Sequence, residues 1–212
     1  MRKITLFLLF MLFAQFSVAQ VRTTKLAVYK QFKPSTIILK DGRELKQPLT
    51  NIFLKNSSLL YMKGDQSMEA NMDNIVGVKF DDRQYIKIDT LLCYLVDSVG
   101  HDALYRATII DMPAYQQQLR NNQVITSMSL GDQISTATVD ISSEDDYKFP
   151  LIDIFYYRYN GKFVRTHERN LGRVLPKDKM RMLKTFVNLP GFSWTDEQSL
   201  LKLLKALQSG GK

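Results

Sequence analysis

Residues 36–80 read TIILKDGRELKQPLTNIFLKNSSLLYMKGDQSMEANMDNIVGVKF, and the pattern of this stretch decides the fold class. Residues 36–40 form an extended apolar run that stops at Asp41-Gly42, a dipeptide suited to the positive φ of a tight turn. Residues 52–55 and 59–62 flank Asn56-Ser57-Ser58, whose short polar side chains bond their own backbone and favour a reversal. A weaker extended element over 68–72 follows Gly64-Asp65. Val76, Val78 and Phe80 are placed on one face of a strand by its two-residue period, and residues 85–88 follow after Asp81-Asp82. Short strands punctuated in this way predict a compact antiparallel barrel or sandwich.

Toward the C-terminus the strand language continues. Residues 91–97 and 103–110 pair as a hairpin about residues 98–102, with Tyr105, Ala107 and Ile109 on one face. Residues 113–122 form a short helix or a loop. Two further strands, 124–130 and 134–141, lie either side of Gly131-Asp132, and 142–148 is a polar loop. Residues 151–159 and 163–166 flank Asn160-Gly161, the strongest hairpin signal in the chain. The period then changes. Residues 168–175 predict a short helix, and Pro176 suits the first turn of the next. Met180, Leu183 and Val187 make an amphipathic stripe that breaks at residues 188–190. Thr195 and Gln198 have the spacing of a capping box, and Leu200, Leu203, Leu204 and Leu207 form the apolar face of a last helix. The expected class is α+β: a small antiparallel β-barrel within residues 20–90, then an antiparallel sheet with C-terminal helices within 91–212.

At the N-terminus, MRKITLFLLFMLFAQFSVAQ has the three parts of a cleavable signal peptide. Arg2 and Lys3 are the positive start, residues 4–16 the apolar centre, and Ser17-Val18-Ala19 the small residues before a cut that leaves Gln20 first. The apolar run is short for a permanent anchor, which is the rival reading. No Cys follows it, so a lipid-modified N-terminal cysteine is excluded. The predicted location is therefore outside the cytoplasm, in the periplasm or at the outer membrane, with no transmembrane span after processing. Cys93 is the chain's only cysteine, so no intramolecular disulfide forms. It lies in the apolar run Leu91-Leu92-Cys93-Tyr94-Leu95-Val96 and reads as a buried strand residue rather than a reactive thiol.

Part of the sequence resembles known groups. The 36–80 stretch is similar to the small SH3-like and Sm-like barrels in its opening strand, Lys-Asp-Gly turn, long second strand and late Ile-Val-x-Val strand. Farther on, GHDALYR, FYYRYNGKFV, LGRVLPKDKMRMLKTFV and FSWTDEQSLLKLLKAL follow one another over about residues 90–207. This succession resembles a family of uncharacterised exported proteins of Gram-negative bacteria. Trp194 and Arg181 depart from its pattern. The resemblance implies a location and a shape, not a reaction.

The chemistry-bearing residues are few. There is no G-x-S-x-G, S-x-x-K, H-E-x-x-H or C-x-x-C motif, and the only histidines are His101, in a predicted turn, and His167, at a strand-to-helix junction. Asp140, Glu144, Asp145 and Asp146 cluster in one loop but lack the alternation and glycine of a calcium loop. No cofactor or metal is called for. The net charge of +8 suits an anionic partner, outside the cytoplasm lipid or polysaccharide rather than nucleic acid, and the expected partner is an envelope protein or an anionic surface. Arg169, Arg173, Lys177, Lys179, Arg181 and Lys184 make the first helical region basic, and Arg173, Lys177, Arg181 and Lys184 are candidate contact residues. The alternative is a solvated helix face. Tyr157 and Tyr159, on one side of their strand, are candidates for a sugar- or peptide-stacking platform, with sheet packing as the alternative. The leading expectation is a non-enzymatic protein acting through contacts. The second is a carbohydrate- or small-ligand-binding protein, or a carbohydrate-active enzyme. The oligomeric state is not legible in the sequence.

Overall fold

A computed structural model describes residues 26–121 and 149–209. The expected signal segment 1–19, the strands 124–130 and 134–141, the 142–148 loop and the acidic group at Asp140 and Glu144–Asp146 lie outside the described residues.

Among the described residues ten strands form one antiparallel ladder. They are β1 (Lys33–Leu39), β2 (Glu44–Phe53), β3 (Ser58–Lys63), β4 (Gln66–Glu69), β5 (Ile75–Lys79), β6 (Gln84–Ile88), β7 (Leu91–Val99), β8 (Asp102–Ile110), β9 (Leu151–Tyr159) and β10 (Lys162–Arg165). Their order is β10-β9-β8-β7-β6-β5-β1-β2-β3-β4. Sequence neighbours pair through tight turns except at two points: after β4 the chain passes through a 3₁₀ turn, Met72–Asn74, and returns to lay β5 beside β1, and β8 pairs with β9 across the long connection 111–150. Among the described residues β4 pairs only with β3 and β10 only with β9, so the ladder is open at both ends. β6 bonds to both β5 and β7, so the hydrogen-bonded sheet runs unbroken past residue 90. The turn signals read from the sequence fall where the backbone reverses: Gly42, Ser57, Gly64, Asn160 and Gly161 all have positive φ.

Four helices are described: α1 (Met112–Asn121), α2 (Glu168–Leu171), α3 (Lys177–Val187) and α4 (Glu197–Ser209). Among the described residues no helix is long and apolar enough to cross a membrane. On α4 the four leucines 200, 203, 204 and 207 fall on one face and are almost wholly buried against Leu104, Phe155, Tyr157 and Tyr159 of the sheet. Burying each such side chain is worth about 1.5–3 kcal/mol, which is why this short helix stays on the sheet. Asp102 pins its far end. This buried carboxylate accepts from the backbone N–H of Asn160 (2.9 Å) and from the Gln208 side-chain amide.

A second core lies at the other end of the sheet, where Tyr29, Ile37, Ile52, Leu59, Ile75, Val78, Phe80, Tyr85 and Leu92 pack together. The register aligns one row across six strands: Ile37, Val78, Tyr85, Tyr94, Arg106 and Phe155 are successive cross-strand partners. That row links the two cores, with Tyr94 and Arg106 at the junction.

Two local expectations are corrected. Val76 was expected on one face with Val78, yet Val78 is buried and Val76 is 36% exposed. Ile75 and Gly77 pair with the adjacent residues Leu39 and Ile38, so Val76 is the extra residue of a bulge and Ile75 takes the inward place. The cap of α4 lies one residue later than the Thr195–Gln198 box. Asp196 Oδ2 accepts from the Ser199 N–H at 2.7 Å, and the Ser199 bond holds the Asp196 carboxyl below its ordinary pKa.

Candidate functional site

The β9–β10 hairpin delivers the chain to the helical end of the molecule. Thr166, buried at its close, donates its backbone N–H and its hydroxyl to the Phe155 carbonyl. His167 then leaves the sheet in extended backbone and caps α2, its Nδ1 accepting from the Arg169 N–H at 3.2 Å. Leu171 anchors this single turn in the core. Gly172 lets α2 sit tightly on α3, since a Cβ there would stand 3.2 Å from the Glu168 carbonyl oxygen and 3.3 Å from Met180 Cε. Pro176, extended and without a side-chain cap, starts α3.

On α3, Lys177, Arg181 and Lys184 are exposed and recur at four and three residues, so they form one stripe on the solvent side. Leu183 is buried on the opposite side, with Met180 and Val187 partly buried beside it. Arg173 and Arg169 continue the positive surface upstream and help wall an open hollow of about 510 Å³ with His167, Glu168, Gly172 and Met180. From residue 165 to 188 the chain carries seven Lys or Arg residues against Glu168 and Asp178 alone. Among the described residues none of the seven forms an ion pair; the pairs present all lie elsewhere. Lys179 has an aromatic partner, with Nζ 5.6 Å from the Tyr159 ring centre. An aromatic chain packs against the core on the other side of α3: His167 stacks on Trp194, which meets Phe192 edge-on at 5.0 Å, and Phe192 meets Phe186 at 5.9 Å.

The structure exposes Arg173, Lys177, Arg181 and Lys184, the last three as one stripe, and buries the two tyrosines. Tyr157 is 1% exposed and donates its hydroxyl to the Leu200 carbonyl at 2.6 Å. Tyr159 is buried in the same core. The stacking-platform reading of Tyr157 and Tyr159 is corrected: alternation places both on the side that α4 covers, and neither ring face is free. Tyr156, on the opposite side, is buried as well.

The remaining candidates carry less. Cys93 is wholly buried, and burial, with Asp89 nearby, pushes its thiol up to about 12, so it is not a nucleophile at neutral pH. His101 is exposed in the tight turn between β7 and β8. A second open hollow of about 450 Å³ lies against residues 34–36, 46–48 and 79–81, but Lys79 in its wall already meets Glu44 at 3.3 Å. Among the described residues no three His, Cys, Asp or Glu side chains gather as a metal site.

Sequence reasoning missed one cluster, at the junction of the two cores. Arg106 Nη1 donates to Glu197 Oε2 at 2.9 Å and lies 3.6 Å from Asp153 Oδ2. Its guanidinium covers the Tyr94 ring at 4.8 Å, and Arg83 approaches the same ring at 5.0 Å. Asp153 also accepts from the Thr108 hydroxyl. Arg106 and Glu197 are 91 positions apart, so no local spacing announces them. Because two carboxylates already face the guanidinium, the cluster ties α4 to the sheet rather than offering a free charge.

Comparison with known proteins returned no matching family, no matching curated protein and no matching solved structure.

Proposed function

We propose that this chain is an exported, non-enzymatic protein of the Gram-negative envelope, periplasmic or associated with the outer membrane, that acts by contact with an envelope protein or an anionic surface. The observation that carries the reading is the exposed stripe of Lys177, Arg181 and Lys184 with Arg173 upstream, none of them neutralised by a carboxylate among the described residues. A solvated helix face whose only task is solubility commonly mixes both signs. Export rests on the signal-like residues 1–19, and the absence of a nucleophile or metal motif motivates the non-enzymatic part. Binding of a carbohydrate by Tyr157 and Tyr159 draws no support from rings buried in the core.

The portion β5-β1-β2-β3-β4 is read as a small-barrel module of the SH3-like or Sm-like kind. Its support is the opening strand, the turn at Asp41-Gly42, the ten-residue β2, the return of β5 beside β1 and the shared apolar interior. The module serves as scaffold here, because a barrel of this shape does not imply a nucleic-acid partner.

Two measurements test the reading. Mass spectrometry of the protein recovered from envelope fractions is expected to give Gln20 as its first residue. Immobilised heparin, as a generic polyanion, is expected to retain the processed protein. The triple variant Lys177→Glu/Arg181→Glu/Lys184→Glu is expected to elute at lower salt. An intact N-terminus in the cytoplasmic fraction, or heparin retention that ignores the triple substitution, overturns it.

A further inference from the structure

Resting on that reading, we infer that the partner of the basic stripe is an anionic lipid surface: the stripe lies along phospholipid headgroups while the loop after α3 inserts an apolar tip. The loop separates this occupant from a soluble polyanion. Directly beyond the stripe, Leu189-Pro190-Gly191 closes α3, and Leu189 is 49% exposed although it is a large apolar side chain. The tip is held rather than frayed. Leu189 donates its N–H to the Phe186 carbonyl at 3.1 Å, Phe192 donates to the Leu189 carbonyl at 3.2 Å, and Gly191 supplies the positive φ that the reversal needs. Phe192, edge-on to both Phe186 and Trp194, fixes the base of the loop.

A polyphosphate offers the row of cations charge but gives an apolar tip nothing to enter, and a polysaccharide offers the tip only the C–H faces of its sugar rings. A bilayer offers both: headgroup charge for the row and an acyl boundary for the tip. The geometry suits a peripheral contact. Lys177, Arg181 and Lys184 lie along one side of an eleven-residue helix that leads straight into Leu189. Trp194, partly buried at the base of the loop, is a residue type that settles at membrane interfaces.

The experiment is co-sedimentation of the processed protein with phosphatidylcholine vesicles, with and without phosphatidylglycerol, beside the heparin assay. Trp194 is the only tryptophan, so its emission reports binding independently. The wild type is expected to bind the anionic vesicles and not phosphatidylcholine alone. Each cation near such a surface is worth on the order of fivefold in partitioning, so the triple Glu variant is expected to lose on the order of a hundredfold or more. Leu189→Ser is expected to weaken vesicle binding severalfold and leave heparin elution unchanged. All four positions are exposed, and unchanged thermal unfolding confirms that the variants fold. Stripe-dependent heparin retention without vesicle binding overturns the lipid inference and leaves the polyanion reading intact. Vesicle binding that survives the triple substitution, or that is indifferent to Leu189→Ser, overturns the lipid inference too. No binding to either probe overturns both.

Discussion

Replacing Tyr157 distinguishes a core tyrosine from a ligand-binding one, and the structure sets the size of the effect. The ring is 1% exposed within the cluster of Leu171, Leu183, Leu200, Leu203, Leu204 and Leu207. Its hydroxyl donates to the Leu200 carbonyl at 2.6 Å, a short bond sealed from water by α4. Tyr157→Phe removes that bond and little volume, so the expected loss is about 1 kcal/mol, or roughly 2–4 °C in Tm for a domain of this size. Tyr157→Ala also empties the space under α4, and the expected loss rises to about 3–5 kcal/mol. Urea denaturation followed by far-UV dichroism measures both as a fall in midpoint at constant slope. An alkaline titration adds a separate check. Burial pushes the Tyr157 phenol well above its ordinary range. In the unfolded chain that phenol ionises near pH ~10. The stability due to keeping it neutral is therefore complete below that pH and is lost as pH rises beyond it. Tyr157→Phe is expected to lessen this alkaline loss. If Tyr157→Ala shifts the midpoint no more than Tyr157→Phe, the ring is not packed as described and the burial argument fails.

Three further outcomes follow from the same structure. Arg106→Met leaves Glu197 and Asp153 facing each other without a cation and is expected to cost about 1–3 kcal/mol; a cycle with Glu197→Gln is expected to show coupling, and strict additivity would refute the pair. Gly77→Ala places a Cβ 2.9 Å from the Tyr85 carbonyl oxygen, backbone that cannot swing aside, so a loss of about 1–3 kcal/mol in thermal unfolding is expected and an unchanged Tm counts against the register. Cys93 is expected to resist thiol reagents in the folded protein at pH 8 and to react on unfolding. Its raised pKa means that its share of stability holds below the unfolded value of about 8.5 and is lost as pH climbs toward about 12, so rapid labelling of native protein contradicts the packing.

Much of the local structure was legible because it depends on near neighbours. The Asn160-Gly161 turn, the hairpin about residues 98–102 and the leucine face of α4 are set by φ preferences and by periods of two and 3.6 residues. So was the side of each tyrosine: alternation puts Tyr157 and Tyr159 together and Tyr156 opposite, as observed. What alternation cannot say is how deeply each side is buried, and here Tyr156 is buried as well as Tyr157 and Tyr159. The basic stripe was legible for the converse reason, since a helix side that is cationic at every recurrence has no stable place in a core.

The sequence by itself determined the strand-and-turn succession, the α+β class, the amphipathic helices and the exposed cations, all properties of contiguous residues. Tertiary structure alone decided that ten strands share one open ladder, that β5 returns beside β1, and that a bulge turns Val76 outward. It also decided that Arg106 meets Glu197 and that Leu189 stands at the end of the stripe on a braced loop. These contacts form only when distant segments meet, and what favours them, apolar burial and the pairing of half-buried charge, has no period along the chain.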